Sequence, residues 1–368
     1  MIFSNCWAMD KIVFSVIFIC LCLCCNQVQE SERQTISCNE SPYVLEDLNE
    51  IVDSISYIYL EATDDCLLGK IEHAQLCDDI IVVKDDKGLY VFNLEGKFQF
   101  QVSRKGRGPH EHLGIRSFYY DRFSKEFGIL CSATNKLFIF DQKGIFNCSY
   151  ELKDEQKFTY ALPCAERTLL ASYPLRNNYR KYESQICRIS LIENGNIDIE
   201  ECIPVSKART TGFEYSPIKF PMAEYDGRFY MTGIFSKDLI VHSVSEKNYT
   251  AAFEIKGDII DDSFLRGMKD LDFFDVLEKA DANNRSLGIT ALYSDGNYLF
   301  VEVNRDYVIV TDMNKSISLD LPLKHGNVYY STLSSLGFCS NLGVLENTDK
   351  VTTDNPILYR MHFKNDIL

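Results

Sequence analysis

Apolar and polar positions alternate in short runs along most of this chain, which is the period of half-buried β-strands. Leu89 to Phe98 reads LYVFNLEGKF, and Leu137 to Phe146, 48 positions further on, reads LFIFDQKGIF. Four of the ten positions are identical, and Tyr90/Phe138, Val91/Ile139 and Asn93/Asp141 are conservative. Each copy is an aromatic and β-branched run, an Asn or Asp suited to an Asx-turn, a Gly that tolerates positive φ, and a second apolar run. That order predicts a β-hairpin. An apolar strand precedes each copy, at Ile80 to Val83 and Phe127 to Cys131.

Weaker copies follow. Arg188 to Ile197, RISLIENGNI, keeps the alternating strand and the Gly, whereas Val308 to Ile317, VIVTDMNKSI, keeps Asp312 but has Lys315 in place of the Gly. Gly227 to Met231, Leu239 to Val241, Asn297 to Val303, Leu342 to Leu345 and Ile357 to Phe363 supply further strands. A repeat of this length fits propeller blades, which are four-stranded sheets set radially. From about Ser54 to Asp366, less one insertion, the chain holds about six such units. The expectation is therefore an all-β, six-bladed β-propeller over 48–368, with Ile55 to Leu60 completing the last blade. A sheet sandwich is the rival architecture, and the long repeat argues against it.

One segment breaks the strand pattern. Ile259 to Ala282 sets Phe264, Leu265, Met268, Leu271, Phe274, Val276 and Leu277 at mostly helical spacing, behind Asp261 and Asp262 as cap candidates. It predicts a helical insertion over 259–282 that packs against the side or rim of the ring rather than binding a partner.

The N-terminus has a different character. Ile12 to Cys25 is an uncharged apolar run, IVFSVIFICLCLCC, preceded by Lys11 and followed by polar residues. It is shorter than the roughly 20 residues of a spanning helix, so it reads as a signal peptide over 1–25, with Met9 as an alternative start. The run ends in Cys rather than A-x-A, and Leu21 to Cys25 resembles a bacterial lipobox. Cys25, preceded by the small Cys24, is the expected lipidation site; Cys24, preceded by Leu23, is the alternative. Residues 26–47 are polar and aperiodic and read as a tether.

Composition narrows the classes further. The 368 residues carry a net charge of −15, which disfavours nucleic acid as a partner. Of the 14 cysteines, five lie in the first 25 positions, and the remainder contain no C-x-x-C pair. Isolated cysteines such as Cys131 and Cys187 in apolar runs are expected as small buried residues.

With the hairpins in place, three features carry a resemblance: Leu60-Glu61, the D-x-x-G-like turns, and Gly106-Arg107-Gly108-Pro109-His110-Glu111 after the first hairpin. Together they resemble the six-bladed β-propeller lipoprotein family of Bacteroidetes, which is related to NHL-type propellers. His112 stands where that family's pattern has an aromatic. The resemblance implies an accessory protein of the cell envelope, at the outer membrane and facing the periplasm or the surface.

Candidate chemistry is sparse. The loop Arg104 to His112 is basic in an acidic protein, and Arg107, His110, Glu111 and His112 are candidate ligand-binding residues for an anion or acidic sugar, against an inter-blade turn in which Glu111 pairs locally. A second stretch, Tyr173 to Tyr182, offers Arg176, Tyr179 and Arg180 for a glycan or peptide, and Tyr215 lies in a third. No G-x-S-x-G, H-E-x-x-H or P-loop is legible, and no cofactor or metal ligand set is expected. The reading is an anchored, non-catalytic binding or scaffold lipoprotein with a glycan, peptide or envelope-protein partner. The alternative is an NHL-like metal-dependent lyase or lactonase with its site in the central channel.

Overall fold

The repeated hairpin is the outer half of a four-stranded sheet. In the computed structural model of the chain, the described residues are 33–36, 50–108, 110–153, 158–173, 184–192, 195–204, 220–233, 235–243, 249–253, 255, 257–266, 268, 273–304, 306–320, 323–325, 328–330, 342–345 and 355–368. Blade 1 comprises His73–Cys77, Ile80–Lys84, Gly88–Asn93 and Phe98–Arg104, each strand antiparallel to the next. Blade 2 runs Ile115–Asp121, Glu126–Cys131, Lys136–Phe140 and Phe146–Glu151, and blade 3 runs Tyr160–Ala165, Thr168–Ser172, Ser184–Ile192 and Asn196–Pro204. Blade 4 holds Met222–Tyr225, Arg228–Thr232, Asp238–His242 and Tyr249–Phe253, and blade 5 holds Ile289–Ser294, Leu299–Val303, Tyr307–Thr311 and Ser316–Asp320.

Successive side chains on a strand point to opposite faces, so a blade with neighbours on both sides buries both sets. In blade 1, Val82, Leu89 and Val91 pack with Phe127, Ile129 and Phe138 of blade 2, while Ile81, Val83, Tyr90 and Phe92 pack on the other side with Leu358. This is why Ile80–Lys84 and Gly88–Asn93 read as nearly unbroken apolar runs. Equivalent clusters join blade 2 to blade 3, blade 3 to blade 4 and blade 4 to blade 5.

The expectation of six four-stranded blades is corrected: among the described residues there are five. The remaining sector, between blades 5 and 1, is a three-stranded closing sheet of Val52–Tyr59, Ile357–Phe363 and Leu342–Leu345. Its two faces reach Phe300 and Val308 of blade 5 through Tyr359 and Met361, and blade 1 through Leu358. The strands Leu323–His325 and Val328–Tyr330 pair with each other and not with this sheet. The strand Val52–Tyr59 thus closes the ring against Ile357–Phe363, as its alternating Ile and Tyr predicted.

A second correction concerns the tether. Arg33–Ile36 falls within 26–47 but adds a parallel fifth strand to blade 4, in register with Thr250 to Phe253. Ile36 is buried with Ala251 and Phe253, so one apolar side chain and a ladder of backbone bonds suffice where the local sequence carries little pattern.

The insertion is smaller than one helix over 259–282. It consists of α1 (Asp262–Arg266) and α2 (Phe273–Ala282), framed by a short parallel ladder of Asp258–Ile259 with Arg285–Ser286. Asp261 caps α1, accepting the Phe264 N–H at 2.8 Å, and the Met268 N–H turns back to Leu265 at 3.0 Å to close the last turn. Leu265, Val276 and Ala280 bury against Phe235 and Ile260, which makes the insertion a packing element on blade 4.

The turns follow the expected chemistry. Asn93 accepts the Lys97 N–H and Asp141 accepts the Lys143 and Ile145 N–H groups through their side chains. Blade 5 lacks the Gly because its turn is one residue shorter: Asp312 closes on Lys315, and Met313 takes the left-handed position at φ 70°. Cys66, Cys77, Cys131, Cys164 and Cys187 are buried and outside any disulfide, as the cysteine spacing suggested.

Candidate binding site

Three segments converge beside blade 1: the entry loop 60–72, the turn 85–88, and the end of the fourth strand at 101–105. Buried Asp85 ties the first two together, because its carboxylate accepts the N–H groups of Gly69 at 2.7 Å and of Lys87 and Gly88 at 2.8 Å. The other side of the entry loop is fastened by Asn355. Its side-chain oxygen accepts the Leu68 N–H, and its amide donates to the carbonyls of Glu61 and Cys66. The Cys66 thiol adds a bond to the Glu61 carbonyl at 3.0 Å.

The fastened segments enclose an open cleft of about 380 Å³ lined by Asp64, Asp65, Asp86, Lys87, Gln101, Arg104 and Lys105. Lys87 Nζ donates to the Leu67 carbonyl at 3.0 Å and Arg104 Nε to Gln101 Oε1 at 2.9 Å. Among the described residues, no ion pair joins the acidic and basic side chains of this lining. Nearby, burial and then the charges of Asp85 and Asp86 push the Tyr90 phenol up to about 12. Sequence reasoning reached Arg104 and Lys105 but missed the rest. The visible signals were the doublets Asp64-Asp65 and Asp85-Asp86, which also describe any solvated turn.

The loop that follows Arg104 is a tight inter-blade turn. Gly106 N–H donates to the His112 carbonyl at 2.9 Å and His112 N–H to the Arg104 carbonyl at 3.1 Å. The Glu111 carboxylate curls inward to accept the Gly108 N–H at 2.7 Å. Neither glycine of the turn has a positive φ. What they supply is space, since a Cβ on Gly106 would lie 1.9 Å from Glu111 Oε2. An amide expected to face an outside anion is thus taken by the chain's own carboxylate.

The two histidines diverge. His110 is exposed and stacks on Phe146, with ring centres 3.8 Å apart, whereas His112 is buried and neither ring nitrogen has a hydrogen-bond partner among the described residues. Burial first, then the charges of Lys105 and Lys84, lower the His112 pKa to about 4. No group of three His, Cys, Asp or Glu among the described residues is arranged to hold a metal. Arg107 is exposed on the turn. Arg176, Tyr179, Arg180, Tyr215, Cys24 and Cys25 lie outside the described residues.

The central axis has its own contents. His73 of blade 1 meets Phe118 of blade 2 at 5.0 Å between ring centres and Phe220, in the segment leading into blade 4, at 5.6 Å, and Phe220 meets Tyr160 of blade 3 at 5.5 Å. Blades 1 and 4 are not neighbours, so the His73 to Phe220 contact crosses the axis. Arg122 after the first strand of blade 2 likewise pairs with Glu224 of blade 4. These rings and the ion pair narrow the axis, although Arg122 keeps 44% of its side chain exposed.

A ring of radial sheets with a charged cleft on one blade defines a β-propeller. The sequence comparison then gives the family: the chain belongs to the family described as Domain of unknown function (DUF4934), whose pattern matches residues 34–339. Among solved structures, the chain is similar to a Bacteroides fragilis protein described as exported, at 16% identity and a TM-score of 0.65, covering 90% of this chain and 99% of that one. It is also similar to a member of the duf4221 family from Bacteroides vulgatus, at 11% identity and a TM-score of 0.51, covering 85% and 97%. No curated protein sequence matches it. No helix among the described residues is long and apolar enough to cross a membrane.

Proposed function

We propose that the chain is a lipid-anchored protein of the bacterial envelope that binds a polar ligand without catalysis, in the service of glycan or peptide acquisition. The observation that carries the binding role is the cleft beside blade 1, where a rigid frame holds unpaired charges open to solvent. The contacts that cross the axis narrow it and favour this edge over a channel site. Arg107 and His110 on the adjoining turn extend the recognition surface, together with Arg176, Tyr179, Arg180 and Tyr215 as read from the sequence.

The anchor and address rest on the apolar run Ile12 to Cys25 and on likeness to a protein described as exported. Cys25 is the lipidated residue in this reading, and the outer membrane is the destination. Several acyl chains on one Cys anchor stably, at about 0.8 kcal/mol per buried CH₂. Mass spectrometry of the membrane fraction tests it: Cys25→Ala should abolish the lipid-bearing species, and an unchanged lipidated product would overturn the assignment. The binding role is tested by glycan-array and envelope pull-down signals, which should fall in the Arg107→Ala, Arg176→Ala double variant. A wild-type protein that captures nothing from the envelope would refute it.

A further inference from the structure

We infer that the blade 1 cleft takes a peptide carrying a positive and a negative group side by side, an inference that rests on the binding reading above. The entry loop contributes Asp64 and Asp65, the turn contributes both Asp86 and Lys87, and the end of the fourth strand contributes Arg104 and Lys105, so the lining is formally neutral and carries both signs in reach of one ligand. A lone anion or cation gains from one set of charges and loses to the other. A dipolar ligand gains from both.

The charges are also kept from satisfying each other. Elsewhere on the blades, exposed opposite charges do pair, as in Lys136 with Glu151 and Arg188 with Glu200. In the cleft, Lys87 Nζ is drawn away to the Leu67 carbonyl and Arg104 Nε to Gln101. Asp86 lies against Gly69, where a Cβ would sit 2.2 Å from Oδ1, and Gln101 lies over Gly88, where a Cβ would sit 2.6 Å from Nε2. Scaffold contacts hold Lys87, Arg104, Asp86 and Gln101, and the reorganisation a ligand must induce in them is correspondingly small. The walls are charged rather than aromatic, which favours a peptide over a sugar face.

Calorimetric titration of the intact chain in detergent tests this with three blocked tetrapeptides: Ala-Lys-Glu-Ala, and its counterparts with Gln for Lys or Gln for Glu. Exposed ion pairs have modest energies, so the dipolar peptide should bind about fivefold or more tighter than either counterpart. The Asp64→Asn, Asp65→Asn variant should lose discrimination against the peptide lacking Lys, and Lys105→Gln against the peptide lacking Glu, with melting temperatures unchanged. Equal binding of all three peptides, or binding of none, overturns the inference. If none binds while the Arg107 and Arg176 dependent envelope capture persists, only the cleft assignment fails; if both are absent, the binding role fails with it.

Discussion

The Asn355 side-chain oxygen accepts the Leu68 backbone N–H at 2.8 Å, joining positions 287 apart in the chain. Asn355 is 6% exposed and also donates to the Glu61 and Cys66 carbonyls, so one side chain holds the cleft loop to the closing sheet. Asn355→Ala strips partners from one N–H and two carbonyls, with an expected loss of about 2–4 kcal/mol. Urea unfolding measures it. A loss below about 0.5 kcal/mol, within the range of ordinary surface substitutions, would show that the loop is fastened some other way.

Blades 2 and 3 are clamped by charge. Arg167 donates through Nε and one terminal nitrogen to the two oxygens of Glu126, at 3.2 and 3.0 Å, and its backbone N–H reaches Asp121 at 3.0 Å. Asn147 adds a bond to Glu126 at 2.8 Å. The bond to Glu126 raises the already high Arg167 pKa. Arg167→Ala leaves a largely buried carboxylate without its cation and should cost about 1–3 kcal/mol. Arg167→Lys should recover little of it, because an ammonium cannot form the two-pronged contact. Full recovery with Lys in thermal melts would reduce the clamp to simple charge.

His112 gives the protein an acid limit. Its folded pKa of about 4 lies below the ordinary 6.5, so the unfolded chain takes up the proton first as pH falls. Stability from this residue is intact above about pH 6.5 and declines toward pH 4, by about 3 kcal/mol in all. Asp85 and Glu111 oppose the shift, while Lys105 and Lys84 reinforce it. His112→Phe removes the titrating group and the unpartnered nitrogens. Its unfolding free energy should be flatter than wild type between pH 6.5 and 4; parallel curves for the two proteins would exclude His112 as the source.

Two hairpin glycines separate strain from crowding. Gly96 and Gly195 have nearly the same left-handed backbone, φ 80° and 78°. A Cβ on Gly96 would meet the Tyr59 carbonyl oxygen at 2.3 Å, whereas on Gly195 it meets nothing within 4 Å. Gly195→Ala should cost about 1 kcal/mol for the backbone alone. Gly96→Ala should cost clearly more, because the closing strand must move. Equal losses in urea would mean that Tyr59 gives way freely.

How much of this was legible follows from how local each feature is. The hairpins at 89–98 and 137–146 depend on strand alternation and an Asx-Gly turn, all within ten residues. The closing sheet was half legible, since Ile55, Tyr57 and Tyr59 announce a strand but not the three-stranded sector it completes. Arg33–Ile36 was invisible because its strand state comes from the edge of blade 4 and not from its own residues. The cleft fared similarly: Asp64, Asp86 and Arg104 come from three segments, and only folding brings them to one cleft. His112 was singled out for exposed chemistry, yet the turn that pairs Gly106 with its carbonyl carries its ring inside.

The parallel strand Arg33–Ile36 also bears on how copies of this protein behave toward one another. An outermost strand offers a row of free backbone donors and acceptors on which a second molecule can build. On blade 4 that row is already taken by the chain's own residues. Arg33–Ile36 becomes the outer edge in turn, so a protein shortened past Ile36 would exchange its row for that of Tyr249–Phe253 and lose the burial of Ile36, with no added tendency to self-associate.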